Sequence, residues 1–336
     1  MDRPILVTGG LGFIGSAFIR RMASQGEAVV NVDALTYAAS PDRLASVSGE
    51  LLKNERCDVT SENLAGLIAE AKPTATFHFA AESHVTRSET QQDTFMTTNV
   101  EGTRRVIEAS LEAGVDRVVH ISTDEVYGPC LDGAFTEEDK EPGAGRATSP
   151  YARSKALADD VAQSYFGRGP VTIVRPTNCF GPWQHPEKAI ARWVTRALSG
   201  TRLPVWGDGK QEREWMHVED ACAGIATIAD SGETGQIYNL GPGASGITNL
   251  TIARTVARLA SASEESVYLT AYDRPMHDRR YAVDSSKARA LGWNPTKDLD
   301  AALVDTVDWY RANRTWWEGL LPQAEAIYAD EEVAAP

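Results

Sequence analysis

The sequence has few cysteines, no long apolar run and a shortage of positive charge. Its four cysteines, Cys57, Cys130, Cys179 and Cys222, show no CxxC spacing, so neither a zinc site nor a disulfide framework is indicated, and we expect no metal. No stretch approaches the roughly 18 consecutive apolar residues of a membrane span. The net charge of −14 argues against a nucleic-acid-binding surface and means that local Arg and Lys must hold any phosphorylated ligand.

The rest of the composition is that of a globular protein. A chain of 336 residues with 42% hydrophobic and 24% charged residues can bury a large core and form about two domains. Residue Met1 leads directly into an apolar segment without a signal-peptide pattern, which predicts a cytoplasmic location.

A glycine-rich turn follows the first apolar segment, residues 4–7. The spacing of Gly9, Gly12 and Gly15 suits a tight strand-to-helix turn whose backbone amides point at a pyrophosphate. A glycine turn without a ligand is the alternative. A second apolar segment, however, ends in Asp33, where a carboxylate would bind a ribose 2′-hydroxyl and repel a 2′-phosphate. The sequence therefore predicts NAD rather than NADP.

Apolar runs of strand length alternate with helical patterns through the first half of the chain. This alternation predicts an α/β fold with a Rossmann-type, doubly wound parallel sheet and a smaller, mixed C-terminal substrate-binding region. We expect a NAD-binding domain over 1–177, to which part of 215–240 returns, and a mainly substrate-binding domain over 178–320. Residues 321–336 are expected to form a mobile tail without a function. Asp58 ends a third predicted strand, where it could meet the adenine or cap a helix.

Two adjacent carboxylates, Asp124 and Glu125, follow the predicted strand 117–121. Two carboxylates can divide acid and base work, and open α/β sheets bind ligands at the carboxyl ends of their strands. A solvated loop pair or a helix-capping pair is the alternative. Tyr151 and Lys155 are four residues apart, so they share one helix face, where the cation is expected to lower the pKa of the phenol. Each alone could be an ordinary helix-surface residue.

Several segments together give the chain a resemblance to a known family, from about residue 4 to residue 320. They are TGGLGFIGS, VDALTYA, FHFAAESHV, TTNVEGT, STDEVYG, SPYARSK, TNCFGPWQHPEK, LPVWGDGKQEREWMHVED and DRPMHDRRYA. The chain resembles the extended short-chain dehydrogenases/reductases and, within them, the dTDP-glucose 4,6-dehydratases. The Tyr–Lys pair is shared across the superfamily, whereas the motif Thr-Asp-Glu before Val-Tyr-Gly is found in a much narrower group of its members. Related decarboxylases usually carry Ser in place of that Asp, and 4-epimerases lack the acidic pair.

The resemblance implies a lyase that eliminates water from a nucleotide-hexose with NAD as its cofactor. Tyr151 would take the C4 hydroxyl proton, Lys155 would hold the ribose, and Thr123 would hydrogen-bond the C4 oxygen. Glu125 would remove the C5 proton, and a protonated Asp124 would donate to the departing C6 hydroxyl. Hydride leaves C4 for NAD and returns to C6. The family also forms dimers through a four-helix bundle, so a homodimer is expected.

The remaining site residues are assigned by the same resemblance. The residues expected at the cofactor are Gly9, Gly12, Phe13, Ile14, Gly15, Asp33, Ala34, Leu35, Thr36, Asp58, Val59, Phe79, Ala80, Ala81, Ser83, Thr98, Tyr151, Lys155 and Cys179. Those expected at the substrate are Ser83, Thr123, Asn178, Lys188, Ala189, Pro204, Val205, Trp206, Arg213, Asn249, Asp273, Arg274 and His277. Arg213 could instead pair with Glu212 or Glu214, Lys188 could pair with Glu187, and Trp206 could be core packing.

Three positions depart from the dehydratase pattern. Thr86 stands where the family has Asp, Cys179 where it has a second Asn, and Met276 where a Gly precedes His277. Cys179 could change the grip on the cofactor, and Met276 is expected to bring bulk next to the substrate. Two other functions stay open. One is a related decarboxylase, epimerase or dehydratase with another base or regiochemistry, and the other is a non-catalytic NAD-binding protein.

Overall fold

The central layer of the molecule is a seven-stranded parallel sheet. The computed structural model describes residues 3–141, 143–243, 246–272 and 276–328. In the order in which they lie across the sheet, the strands are β10 (Ile237–Leu240), β6 (Val171–Pro176), β5 (Arg117–Ile121), β4 (Ala75–His78), β1 (Ile5–Thr8), β2 (Val29–Asp33) and β3 (Leu52–Arg56). All of these pairings are parallel, which confirms the predicted fold class.

Helices cover this sheet. Those of the first half are α1 (Phe13–Ser24), α2 (Leu64–Ala71), α3 (Val85–Thr90), α4 (Gln92–Phe95), α5 (Gly102–Glu112) and α6 (Pro150–Gln163), with a π-helical stretch, Met96–Glu101, between α4 and α5. Every residue of β1, β2 and β6 is buried, as expected for a sheet covered on both faces. Because the strands are parallel, their carboxyl ends meet at one edge of the sheet, where a ligand site is expected.

A smaller region packs beside that edge. It contains two parallel pairs of short strands, β7 (Cys179–Phe180) with β9 (Met216–His217) and β8 (Leu203–Trp206) with β11 (Val267–Thr270). Its helices are α7 (Ala189–Leu198), α9 (Asn249–Leu259), α11 (Leu299–Ala312), α12 (Arg314–Glu318) and α13 (Leu321–Ala326), whereas the short helix α10 (Ser286–Ala290) packs on the core of the large sheet through Ala288. A second hydrophobic core joins α7, α9, α11 and β8.

The chain from Val218 to Leu240 returns to the large sheet. Helix α8 (Val218–Ser231) contributes Val218, Cys222 and Ile225 to the same hydrophobic core as Phe18 of α1. Strand β10 then pairs with β6. The division of the chain into two domains stays a prediction.

The end of the described chain corrects the expectation of a mobile tail from residue 321. Residues Leu321–Ala326 form helix α13, and Ala324 and Tyr328 are buried. Two ion pairs from Glu325 to helix α7 hold this segment in place. Among the described residues, none of the helices has the length and apolar character needed to cross a membrane.

Candidate active site

A cavity of about 570 Å³ opens at the carboxyl ends of strands β1, β2, β4, β5 and β6. It extends from the glycine-rich turn on one side to residues of the smaller region on the other. Nearly all of the predicted cofactor and substrate residues line this one space. Among the described residues, no group of three or more His, Cys, Asp or Glu side chains could hold a metal ion.

The glycine turn forms one wall of the cavity. Gly9 has a φ of +72°, and a Cβ there would lie 2.7 Å from the backbone of Ala80, so only glycine fits. Gly12 is the N-cap residue of α1, with no side chain capping the helix and no acidic residue in its first turn. The uncapped amides and the helix dipole therefore suit an anionic pyrophosphate.

Asp33 lies at the end of β2 and faces the same cavity. Its carboxylate accepts one hydrogen bond from the amide of Leu11 and one from the amide of Leu35, each at 2.9 Å. These bonds fix the orientation of the carboxylate and tie it to the glycine turn. Further lone pairs remain for ribose hydroxyls, as expected for a NAD site.

The acidic pair lies in a 3₁₀ turn, Asp124–Tyr127, directly after β5. Thr123 caps this turn, since its hydroxyl accepts from the amide of Glu125 at 3.3 Å and donates to Asp124 Oδ1 at 3.2 Å. Thr123 and Glu125 line the cavity, whereas Asp124 lies behind the wall and is 2% exposed. The acidic pair is therefore buried, which excludes a solvated loop pair.

The surroundings of Asp124 keep its carboxyl group neutral. Burial, followed by the nearby charges of Glu125 and Glu214, raises the pKa of Asp124 to about 8. Within the described residues, its Oδ2 atom has no hydrogen-bond partner. Such a carboxyl group holds its proton at neutral pH, which is the state that a general acid requires.

Tyr151 and Lys155 share one buried face of α6, which begins at Pro150 after the capping hydroxyl of Ser149. The Lys155 ammonium donates to the carbonyl of Ile121 at 2.7 Å, and burial lowers its pKa to about 8. The expected lowering of the Tyr151 pKa by Lys155 is wrong for this structure. Burial and the charge of Glu125 raise the pKa of Tyr151 instead.

Most of the predicted site residues line the cavity, and a few do not. Those on its wall are Gly9, Gly12, Phe13, Ile14, Gly15, Asp33, Ala34, Thr36, Asp58, Val59, Phe79, Ala80, Ala81, Ser83, Thr98, Thr123, Glu125, Tyr151, Lys155, Asn178, Cys179, Lys188, Ala189, Pro204, Trp206, Arg213, Asn249 and His277. Leu35 is instead exposed and contributes its amide to Asp33, and Val205 is part of the core beneath the wall. Asp273 and Arg274 lie outside the described residues.

Two cations on the wall bond to backbone carbonyls. Arg213 donates to the carbonyls of Glu212 and Asp278, at 2.7 and 3.0 Å, rather than to a carboxylate of Glu212 or Glu214. Lys188 donates to the carbonyl of Ser83 at 2.7 Å. Both cations face the cavity. The carbonyl partners of Arg213 are neutral, so its positive charge suits an anionic ligand.

The contacts of Asp58 and Trp206 define their roles. Asp58 accepts from the amide and hydroxyl of Thr60 at 2.8 and 2.7 Å, in a turn ahead of α2, so it is not the N-cap of that helix. Trp206 is half-buried and its ring packs against Tyr272 and His277. It therefore combines packing with a place on the cavity wall.

The three departures from the dehydratase pattern have different surroundings. Thr86 faces the cavity. Cys179 also lines the cavity, and burial followed by the charge of Asp124 raises its pKa to about 12, so it is a neutral thiol. Met276 is 48% exposed and is not among the described residues on the cavity wall, and its effect on the substrate stays a prediction.

Sequence reasoning missed several polar residues on the wall, among them Glu187, Arg192, Tyr281 and Tyr328. Glu187 is 2% exposed and accepts from Arg87 and from the hydroxyl of Tyr37. Its place in the QHPEK segment next to Lys188 was a signal that could have found it. No comparable signal marks Tyr328, which lies far along the chain from every motif.

Three features occur together here: a Rossmann-type sheet, an uncapped helix beside a ribose-binding acid, and a helix that carries the Tyr–Lys pair. This combination defines a nicotinamide-dependent enzyme of the short-chain dehydrogenase type. The sequence profile of the "NAD dependent epimerase/dehydratase family" matches residues 5–241. The chain belongs to this family, which confirms the predicted resemblance and the predicted cofactor.

Individual relatives match nearly the whole chain. A dTDP-glucose 4,6-dehydratase of Streptomyces griseus is 41% identical over 330 residues, which cover 96% of this chain and 98% of that protein. The low-salt glycan biosynthesis protein Agl12 of Haloferax volcanii is 42% identical over 318 residues, which cover 91% of this chain and 98% of that protein. The crystal structure of DesIV, a dTDP-glucose 4,6-dehydratase from Streptomyces venezuelae with NAD bound, superposes with a TM-score of 0.88 at 42% identity, covering 94% of this chain and 99% of that chain.

Proposed function

We propose that this protein is a nucleotide-hexose 4,6-dehydratase that converts dTDP-glucose to the 4-keto-6-deoxy sugar. The observation that carries the proposal is the neutral, buried carboxyl group of Asp124 beside Glu125, Thr123 and Tyr151. A 4-epimerase or a decarboxylase has no departing C6 hydroxyl and needs no such proton donor. The relatives named dTDP-glucose 4,6-dehydratase, about 40% identical over nearly the whole chain, support the same substrate.

NAD fits the residues on one side of the cavity. The uncapped start of α1 at Gly12 would hold its pyrophosphate, and Asp33 and Lys155 would hold its two riboses. The chemistry that NAD would supply when bound is a hydride acceptor for C4 of the hexose and a hydride donor for C6.

The protein's own residues move the protons. Tyr151 takes the proton of the C4 hydroxyl and must be a phenolate to do so, so its raised pKa has to fall when cofactor and substrate bind. Thr123 donates to the C4 oxygen. The C4 ketone makes the C5 hydrogen acidic, and Glu125 removes it. Asp124, which holds a proton at neutral pH, donates it to the C6 hydroxyl as that group leaves as water. Glu125 then returns a proton to C5. Over one turnover Tyr151 gains a proton and Asp124 loses one, and exchange of these protons with solvent restores both groups.

The substrate lies on the other side of the cavity. Arg213 and Lys188 are placed to bind its diphosphate, and Pro204, Trp206 and Asn249 to flank its base. The remaining residues proposed for the hexose and phosphates are Ser83, Asn178, Ala189 and His277, with Asp273 and Arg274 outside the described residues.

Mass spectrometry with a panel of dTDP-, UDP- and GDP-hexoses tests the proposal. We expect the purified protein to remove one water from dTDP-glucose. Glu125→Gln is the control, and we expect it not to remove water at a rate comparable to that of the wild type. No loss of water from any hexose, with NAD bound, would contradict the proposal and favour a non-catalytic NAD-binding protein.

Two properties of the assembly belong to the same proposal. We expect a homodimer formed through the helices over 94–114 and 154–166, and the exposed side chain of Met96 supports this surface. We also expect a cytoplasmic enzyme. Light scattering of the purified protein checks the first, and fractionation of cells checks the second.

A further inference from the structure

Tyr328, near the end of the described chain, lies on the wall of the active-site cavity. The residue is 6% exposed, and its hydroxyl donates to the backbone carbonyl of Glu187. The same hydroxyl lies 3.0 Å from Nε2 of His84. Glu187 and His84 directly adjoin Lys188 and Ser83, so Tyr328 joins two segments of the proposed substrate site.

The ring of Tyr328 is held as firmly as its hydroxyl. The guanidinium of Arg192 lies 3.7 Å from the centre of the Tyr328 ring, and the ring of Trp206 packs edge-on at 5.9 Å. A phenol with one face on a cation and its hydroxyl in two polar contacts has little rotational freedom left.

Helix α13 supplies the support for this arrangement. Glu325 pairs with Arg192 at 2.9 Å and with Arg196 at 2.8 Å, both on α7. Arg192 is 5% exposed, and it lies between the carboxylate of Glu325 and the ring of Tyr328. The ion pairs therefore fix α13 on α7 and position the ring at the cavity.

We propose that Tyr328 is a substrate-binding residue that contacts the nucleotide portion of the bound nucleotide sugar, and that Glu325 is its positioning residue. The inference rests on the proposed function. Tyr328 packs against Trp206, which is proposed to flank the base, and its hydroxyl contacts residues next to Lys188, which is proposed to bind the diphosphate. A rigid phenol at this junction offers a flat apolar surface to a nucleoside and a hydroxyl to its polar groups.

Calorimetric titration of the NAD-loaded protein with dTDP tests this role directly. We expect Tyr328→Ala to weaken dTDP binding about tenfold or more, since it removes both the ring and the hydroxyl. Tyr328→Phe keeps the ring on Arg192 and should lose less. Glu325→Gln keeps the size of the side chain but weakens the ion pairs with Arg192 and Arg196. Its loss of dTDP affinity should fall between those of Tyr328→Ala and Tyr328→Phe. The matched control is Glu318→Gln, which removes a surface ion pair with Arg314 in the same part of the chain.

Turnover separates a binding role from a merely structural one. With dTDP-glucose, Tyr328→Ala should raise KM while changing kcat much less, and NAD affinity should equal that of the wild type. Wild-type dTDP affinity in Tyr328→Ala would overturn the proposal, as would equal losses of NAD and dTDP affinity. If the wild type binds dTDP more tightly than Tyr328→Ala but releases no water from dTDP-glucose, the proposed function fails and the Tyr328 contact stands. If the wild type binds no dTDP, both fail.

Discussion

Arg175 on β6 donates to the carboxylate of Asp159 on α6 at 2.8 Å, and neither side chain is exposed. The same guanidinium donates to the hydroxyl of Tyr127 at 2.6 Å. Tyr127 ends the turn that carries the acidic pair, and α6 carries the Tyr–Lys pair. One buried cation therefore sets the position of both catalytic segments relative to the sheet.

Replacing this cation should destabilise the protein strongly. Arg175→Met would leave the carboxylate of Asp159 buried without its main partner, at a cost of about 3–5 kcal/mol in the free energy of unfolding. Urea denaturation measures this cost. The control is Glu318→Gln, which removes a pair with Arg314 that is more than 40% exposed on both sides and should contribute less than about 1 kcal/mol. Similar losses in the two variants would mean that the Arg175 pair does not hold the fold.

Much of the fold was predictable because its signals are local. The glycine turn, the strand that ends in Asp33 and the alternation of strands and helices each depend on residues close together in the sequence. The parallel sheet then follows from that alternation, and its ligand edge follows from the sheet.

The errors arose where the outcome depends on contacts distant in the sequence. Residues 321–328 have an acidic, alanine-rich neighbourhood with no strong periodicity, and their structure depends on Arg192 and Arg196, more than 120 positions earlier. The Tyr151 pKa was misjudged for a similar reason. Helical spacing places Lys155 near the phenol, but its ammonium donates to the carbonyl of Ile121. The burial of Tyr151 therefore has a larger effect on its pKa than the charge of Lys155.

Asp33 should decide the choice of cofactor. Asp33→Ala removes the ribose acceptor, its contact with the amide of Leu11 in the glycine turn and its contact with the amide of Leu35, so NAD affinity should fall about tenfold or more. The preference for NAD over NADP should shrink at the same time, because the repulsive charge is gone. Fluorescence titration measures both affinities. Asp42→Ala is the control, since Asp42 is an exposed carboxylate in the same part of the chain and is absent from the cavity wall. An unchanged NAD affinity in Asp33→Ala would contradict the ribose-binding role.

Arg213 should separate substrate binding from cofactor binding. Arg213→Ala should weaken dTDP-glucose binding by about 1.5–3 kcal/mol, the range for a hydrogen bond to a charged group, and leave NAD binding intact. The ring of Tyr281 lies 4.3 Å from this guanidinium, so thermal unfolding must be measured in parallel. Equal losses of NAD and substrate affinity would show that Arg213 has a structural role.

The neutral state of Asp124 should appear in the pH dependence of stability. Its pKa is about 8 in the folded protein and near 4 when unfolded, so between these values the folded state binds more protons. The free energy of unfolding should therefore fall as pH rises from about 4 to about 8, by up to about 1.4 kcal/mol per pH unit from this group. Asp124→Asn should lack this component. Glu214, whose pKa is raised to about 7, contributes in the same direction in both proteins, so the difference between them reports Asp124. Parallel pH profiles would mean that Asp124 is ionised in the fold.

The order of the chemical steps should divide the work of the two acids. Glu125→Gln removes the base, so solvent deuterium should not enter C5 of dTDP-glucose. Asp124→Asn keeps the shape of the side chain and its contact with Thr123 but cannot supply an acidic proton. Oxidation at C4 and exchange at C5 should then continue while departure of water slows, at a cost on the order of 10²–10⁴-fold in turnover.

Absorbance of the reduced nicotinamide distinguishes the Asp124→Asn variant from the wild type during turnover. Because oxidation precedes elimination, Asp124→Asn should accumulate reduced cofactor after substrate is added, whereas the wild type should show little. Asp132→Asn, at an exposed position shortly after the acidic pair, should behave as the wild type. Free exchange of C5 in Glu125→Gln, or wild-type turnover in Asp124→Asn, would refute this division of roles. Reduced cofactor in Glu125→Gln without deuterium at C5 would instead place the block at the predicted step, because oxidation requires Tyr151 and Thr123 but not the base.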